Sequence, residues 1–153
     1  MNGSLHRRMK VDRPIGEVFR FFSDASNLER ITPPEMGFEI LPPLPIEMRQ
    51  GALIDYRLRL WGLPVSWRTL ISSWDPPYGF VDEQLRGPYR TWIHTHRFVQ
   101  DVEDDSATWI HDDVEYQLPF GPAGALVLPV IRRQLDRIFN YRASVTADLL
   151  EAG

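Results

Sequence analysis

The sequence predicts an α+β domain in which a curved, seven-stranded antiparallel sheet wraps one long C-terminal helix, with two short helices between the first and second strands. Three observations predict it. Alternating apolar and polar stretches recur from residue 38 onward, separated by turns rich in Gly, Pro and Asp. A strand pattern followed directly by helical spacing precedes them. After residue 120 the apolar period changes from two to between three and four.

Residues 5–12 place Leu5, Met9 and Val11 on one face and His6, Arg8, Lys10 and Asp12 on the other, as a strand with one wet face does. Pro14 suits the first helical position, where its missing N–H costs nothing, and Ile15, Val18, Phe19 and Phe22 follow at helical spacing. Ser26-Asn27-Leu28-Glu29 reads as a capping box that opens a second short helix, and Thr32-Pro33-Pro34 ends it. Residues 38–41 form a short strand closed by Pro42, Pro43 and Pro45, which protect it against edge pairing. In residues 52–61, Ala52, Ile54, Tyr56, Leu58 and Leu60 alternate with Asp55, Arg57 and Arg59, and Gly62-Leu63-Pro64 turns the chain. Residues 65–74 carry Val65, Trp67, Thr69 and Ile71 on one face. Further strands span 80–86, 89–100 and 107–118, joined by Gly87-Pro88 and by the acidic loop 101–106.

In the tail, Val127, Ile131, Leu135, Ile138, Arg142, Val145 and Leu149 recur at spacings of three and four, a helix of about seven turns at ~3.6 residues per turn. Pro129 kinks it or marks its proper start. Sheet and helix each have a face to bury, and each covers the other. One helix is too slim to fill the concave side of seven twisted strands, so the remaining volume is a cavity.

A chain of 153 residues suits a single domain over 1–153 with a core that needs no staples. The absence of cysteine excludes disulfides and thiolate catalysis. A net charge of -4 without a long basic run argues against nucleic acid. No apolar run reaches the ~18 residues of a membrane helix, and residues 1–13 lack a signal-peptide apolar segment, so no stable membrane insertion and a cytoplasmic location are expected. Five Trp, five Tyr and eight Phe serve core packing or line a ligand cavity.

This order of elements resembles the helix-grip fold of the START/Bet v 1-like superfamily, also called SRPBCC. The motifs that sharpen the resemblance are Gly87-Pro88-Tyr89-Arg90-x-Trp92-x-His94-x-His96-x-Phe98, Asp112-x-Val114-x-Tyr116-x-x-Pro119-x-Gly121 and Ile138-Phe139-x-Tyr141-Arg142. With Pro14-x-x-x-Val18-Phe19, Asn27-Leu28 and Ile31-Thr32-Pro33 they are similar to a bacterial cyclase/dehydrase-like, ligand-binding subgroup across nearly the whole chain. The resemblance implies a deep apolar pocket of the kind that holds lipids, sterols, polyketides or hormones. Some relatives are aromatase/cyclases, and many are carriers or sensors.

The sharpest polar feature is the strand 89–100. Trp92, His94, His96 and Phe98 share a face, and Arg97 on the other face assigns the first set to the interior. The two imidazoles then point at the pocket ~7 Å apart along the strand. Three readings compete: a hydrogen-bonded structural pair, polar anchors for a ligand, and acid/base or metal chemistry. A third metal ligand is not clearly placed, Asp112 being the best candidate, so neither metal nor cofactor is expected. On the preceding strand, a two-residue Gly87-Pro88 loop pairs Glu83 with Trp92, whereas one extra residue brings Asp82 and Gln84 round to the histidines. The second register is preferred because it also turns Phe80 inward. Ile110, Asp112, Val114 and Tyr116 form the inner face of the last strand, where Asp112 needs an Arg or His partner. Tyr56 and Trp67 are further wall candidates.

The expected function is a carrier or sensor that holds a small hydrophobic or amphipathic molecule. The alternatives are a cyclase/dehydratase-type enzyme using His94 or His96 as acid/base, and a protein-interaction module. A homodimer is left open.

Overall fold

The first strand, β1 (Asn2–Val11), pairs with the last, β7 (Thr108–Gln117), and so closes one side of the sheet. The computed structural model describes residues 2–41 and 45–152, so the strand stop at Pro42 and Pro43 lies outside the described residues. Between β1 and the meander lie α1 (Ile15–Phe22), α2 (Asn27–Arg30) and a 3-10 turn, Pro34–Met36. The meander is β2 (Glu39–Ile40), β3 (Leu53–Leu60), β4 (Leu63–Asp75), β5 (Gly79–Arg86), β6 (Thr91–Gln100) and β7, and α3 (Gly124–Ala152) ends the chain. The sheet has seven strands in the order β1-β7-β6-β5-β4-β3-β2, and the pairs are antiparallel.

Local chemistry explains several boundaries. Pro14 is the residue before α1 and has extended backbone, so the helix proper starts at Ile15. The capping box does not form. Ser26 makes no side-chain cap, and its N–H and hydroxyl both donate to Asp24 Oδ1, at 3.0 and 2.6 Å, so the carboxylate two residues earlier shapes the turn. The β3–β4 turn is Trp61-Gly62 rather than Gly62-Leu63-Pro64. Both residues have positive φ (50° and 79°), as a tight two-residue hairpin requires, and Leu63 already pairs with Leu60.

α3 lies on the concave face of the sheet. Its Leu135 and Phe139 join Leu5, Leu58, Trp67, Trp92 and Val114 in one buried cluster. A second cluster gathers Val18, Phe19 and Phe22 of α1 with Ile54, Ile71, Phe80, Phe98 and Ile110, and Leu150 at the end of α3 covers it. The buried stripe of α3 is Leu128, Leu135, Phe139, Thr146 and Leu150. Of the expected stripe, Leu135 belongs to this buried centre, and Val127, Ile131, Ile138, Arg142, Val145 and Leu149 lie on its half-buried flank. A curved sheet surrounds a helix over a wide arc, so residues on both sides of the apolar centre are covered. Pro129 sits inside the helix near its start.

Candidate functional site

The β5–β6 register decides what surrounds the histidines. Asp82 pairs with His94 and Phe80 with His96, which is the register with one extra residue in the turn. Gly79 makes this close approach possible. A Cβ there would lie 2.1 Å from the His96 carbonyl oxygen, and its φ of 155° is one that side chains rarely adopt. On the other side β7 places Val114 opposite His94 and Asp112 opposite His96. Two carboxylates thus flank two imidazoles, one from each neighbouring strand.

The histidines are 4% and 3% exposed, and their rings stack with centroids 3.6 Å apart. His96 stacks on Phe80 as well, at 4.1 Å. Arg142 of α3 reaches over the group and donates from Nη2 to His96 Nδ1 at 3.4 Å, with Asp112 Oδ1 3.7 Å away. The Phe22 and Phe139 rings lie 5.5 and 5.6 Å from its guanidinium carbon. A guanidinium can only donate, so His96 Nδ1 is the acceptor and His96 Nε2–H donates to Asp82 Oδ2 at 2.5 Å. His94 Nε2–H donates to Asp112 Oδ1 at 2.7 Å. With His94 neutral, the lone pair at Nδ1 is left 3.7 Å from Asp82 Oδ2.

Burial lowers the proton affinity of both imidazoles, aided by the mutual repulsion with His96 at His94 and by the Arg142 charge at His96, which is pushed down to about 3. The two carboxylates diverge. Burial pushes Asp82 up, and the attraction of His94 and Arg142 does not undo it. Burial also acts to raise Asp112, but the Arg142 charge and the His94 hydrogen bond outweigh it and hold Asp112 well below the usual carboxylate range. Asp112 with Arg142 is therefore an ion pair, and Asp82 is the group biased toward its neutral acid.

This polar group forms one end of a cavity of about 150 Å³. The walls come from the sheet (Ile54, Tyr56, Leu58, Trp67, Trp92), from the helical segment after β1 (Leu28, Met36) and from α3 (Leu135, Ile138). A volume near 150 Å³ admits roughly one benzene-sized ring and falls short of the ~300–1,000 Å³ of drug-sized pockets. The indole N–H of buried Trp67, one of the wall residues, has no hydrogen-bond partner among the described residues.

No family model and no curated protein sequence matches this chain. Solved structures do. A protein from Thermus thermophilus superposes with a TM-score of 0.77 at 14% identity, covering 98% of each chain. A START superfamily protein from Mycobacterium smegmatis gives 0.72 at 12% identity over 97% of each chain. The ZhuI aromatase/cyclase of a Streptomyces species gives 0.69 at 17% identity, over 99% of this chain and 93% of that one. This is the START/Bet v 1-like helix-grip fold.

Within the helix-grip frame, Tyr56, Trp67, Asp82, Trp92, His94 and His96 line the cavity. Asp112 stands behind the histidines, and Phe98 is core, 1% exposed, packed on Phe19 and Phe22. Gln84 lies near the end of β5, where its amide reaches across the β5–β6 turn, donates to the Tyr89 carbonyl at 2.6 Å and accepts from the Tyr89 N–H at 3.1 Å. It is a turn clamp because the β5–β6 pairing ends at Glu83–Ile93, leaving residues 84–92 to bridge the strands. Tyr116 faces inward, but its ring lies over Gly3 and behind Tyr89, and it does not itself line the cavity. Both carboxylates offer an oxygen beside the two histidines: Asp82 Oδ2 lies within 4.8 Å of a nitrogen on each, and Asp112 Oδ1 stands 2.7 Å from His94 Nε2 and 3.6 Å from His96 Nδ1. Arg142 is the site residue that sequence reasoning did not single out. Its signal was a lone cation within an otherwise apolar helical stripe.

Proposed function

We propose that this chain binds a small, largely apolar molecule of about one ring, with its polar end against Asp82 and His94, as a carrier or sensor. The observation that carries the reading is an apolar cavity with one buried, ionisable end. Burying such groups costs stability unless they are paired, and packing alone gives no reason for them. The unpaired Trp67 N–H offers a second polar point, for a carbonyl or ether oxygen of the ligand. Titration with p-cresol, followed by amide NMR, tests the reading. Shifts are expected at the cavity wall, and Ile138→Phe, which fills the cavity from α3, should weaken them at least several-fold. Equal response in wild type and Ile138→Phe, or none at millimolar p-cresol, would overturn it.

One observation favours a second reading, a dehydratase-type enzyme. The Asp112–His94 pair leaves a free His94 Nδ1 next to a carboxyl biased toward its acid form, which is a base beside an acid. Elimination of water from 4-hydroxybutan-2-one, read as enone absorbance, should then be faster with wild type than with His94→Gln. Equal rates would leave binding alone.

A further inference from the structure

We propose that Asp82, His94 and His96 form a site for a divalent ion of intermediate softness, such as Zn²⁺, Co²⁺ or Fe²⁺, with its open coordination position facing the cavity and Asp112 orienting the histidines from behind. This goes beyond small-molecule binding and does not depend on it. The donors come from adjacent strands, β5 and β6, and one ligating atom of each lies within 4.8 Å of the others. Two imidazoles and one carboxylate select such ions over Ca²⁺ and Mg²⁺, which take oxygen ligands.

The distances fit modest adjustment. An ion with bonds of about 2.0–2.2 Å in tetrahedral geometry holds its donors roughly 3.3–3.5 Å apart. Asp82 Oδ2 is now 2.5 Å from His96 Nε2 and 3.7 Å from His94 Nδ1, so the required spacing lies between the two. The outer shell is also in place. The nitrogens turned away from Asp82, His94 Nε2 and His96 Nδ1, face the same Asp112 oxygen at 2.7 and 3.6 Å. Metal-bound histidines commonly hand their second N–H to a carboxylate, which fixes tautomer and ring orientation.

Capture asks three things of the chain. Asp82 must release its proton to bind as a carboxylate. The imidazoles, whose planes are now 25° apart, must rotate out of their stack so that both lone pairs converge. The His96 proton must move from Nε2 to Nδ1, where Asp112 accepts it in place of the present donation by Arg142. Arg142 opposes a cation, but Asp112 offsets its charge. With both carboxylates ionised, a divalent ion leaves the cluster with one net positive charge, which hydroxide or an anionic group in the cavity completes. The remaining walls are mostly apolar, so the open position is sheltered.

The test is a Co²⁺ titration of tag-free, chelator-stripped full-length protein, read by visible d–d absorbance and by Zn²⁺ displacement. One equivalent should give bands of four- or five-coordinate cobalt, and Zn²⁺ should abolish them. Asp82→Asn and His94→Gln should each lose the bands, and Asp112→Asn should keep them with about 10–100-fold weaker affinity. His6→Gln with His111→Gln removes the remaining imidazoles and should change nothing. Absence of bands in wild type overturns the proposal whatever the variants do. So does their survival in folded Asp82→Asn, or their loss in the His6/His111 variant. The p-cresol titration of the stripped protein is read separately, so failure of the ion site and failure of ligand binding are distinguishable.

Discussion

Asp82 and Asp112 lie one strand either side of the same histidines, yet their acidities move in opposite directions. Arg142 makes much of the difference, because its charge bears more strongly on Asp112. The histidines set the pH response of the ion-free protein. His96 is pushed down to about 3, below the ~6.5 of a free imidazole, and His94 moves the same way. Between those values the unfolded chain takes up a proton that the native form refuses. That stability is therefore present above about pH 6.5 and is lost as pH falls toward 3. Asp82 acts with the opposite sign. Its raised value favours the native form below the free-carboxyl range, and that gain fades as pH rises through its folded value. In chelator-treated protein, urea unfolding should show stability falling by on the order of a few kcal/mol from about pH 7 to 4. His96→Gln should flatten the slope, and parallel profiles would refute the assignment.

At the scale of elements, β6 was readable because its alternation is strict. Trp92, His94, His96 and Phe98 are all buried, as one face of a strand must be. The neighbouring β5 was harder. It carries polar residues of both parities, and only the number of residues in the β5–β6 turn decides which parity meets the histidines. α3 was legible as a helix but not in its exact buried stripe, since helical period gives a direction and the sheet's curvature sets how wide an arc is covered. Thr146 shows the consequence. It lies fully buried in α3, 1% exposed, with no partner for its hydroxyl among the described residues. Thr146→Val keeps the β-branched shape and removes the orphan group, so it should stabilise the fold by about 1 kcal/mol in thermal or urea unfolding. A loss of stability would show that the hydroxyl is satisfied.

Across the molecule, the cavity separates two parts of the core and is enclosed from different sides by the sheet, by α3 and by the segment after β1. Arg137 of α3 pairs with Glu35 of the 3-10 turn, and Nε donates at 2.8 Å. Both side chains are more than half exposed, so solvent screens the pair and it adds little to stability. Its place matters more, because it ties together two elements whose neighbouring residues, Met36 and Ile138, line the cavity. Glu35→Gln, or high salt, should speed p-cresol exchange several-fold in NMR line-shape analysis while moving the unfolding midpoint little. Unchanged exchange would show that entry lies elsewhere. No helix among the described residues is long and apolar enough to cross a membrane.

By itself the sequence determined the kind and order of the elements, the inward face of β6 and the presence of apolar faces that one helix could not fill. These follow from periodicity, which is local and repeats along the chain. Tertiary structure alone decided that Asp82 and Asp112 flank the histidines, that Arg142 tilts their acidities apart, that Gln84 clamps a turn, and that the hollow is about one ring in size. Those facts depend on strand register and on the height of a helix above a sheet, where one residue or a few ångströms change which side chains meet.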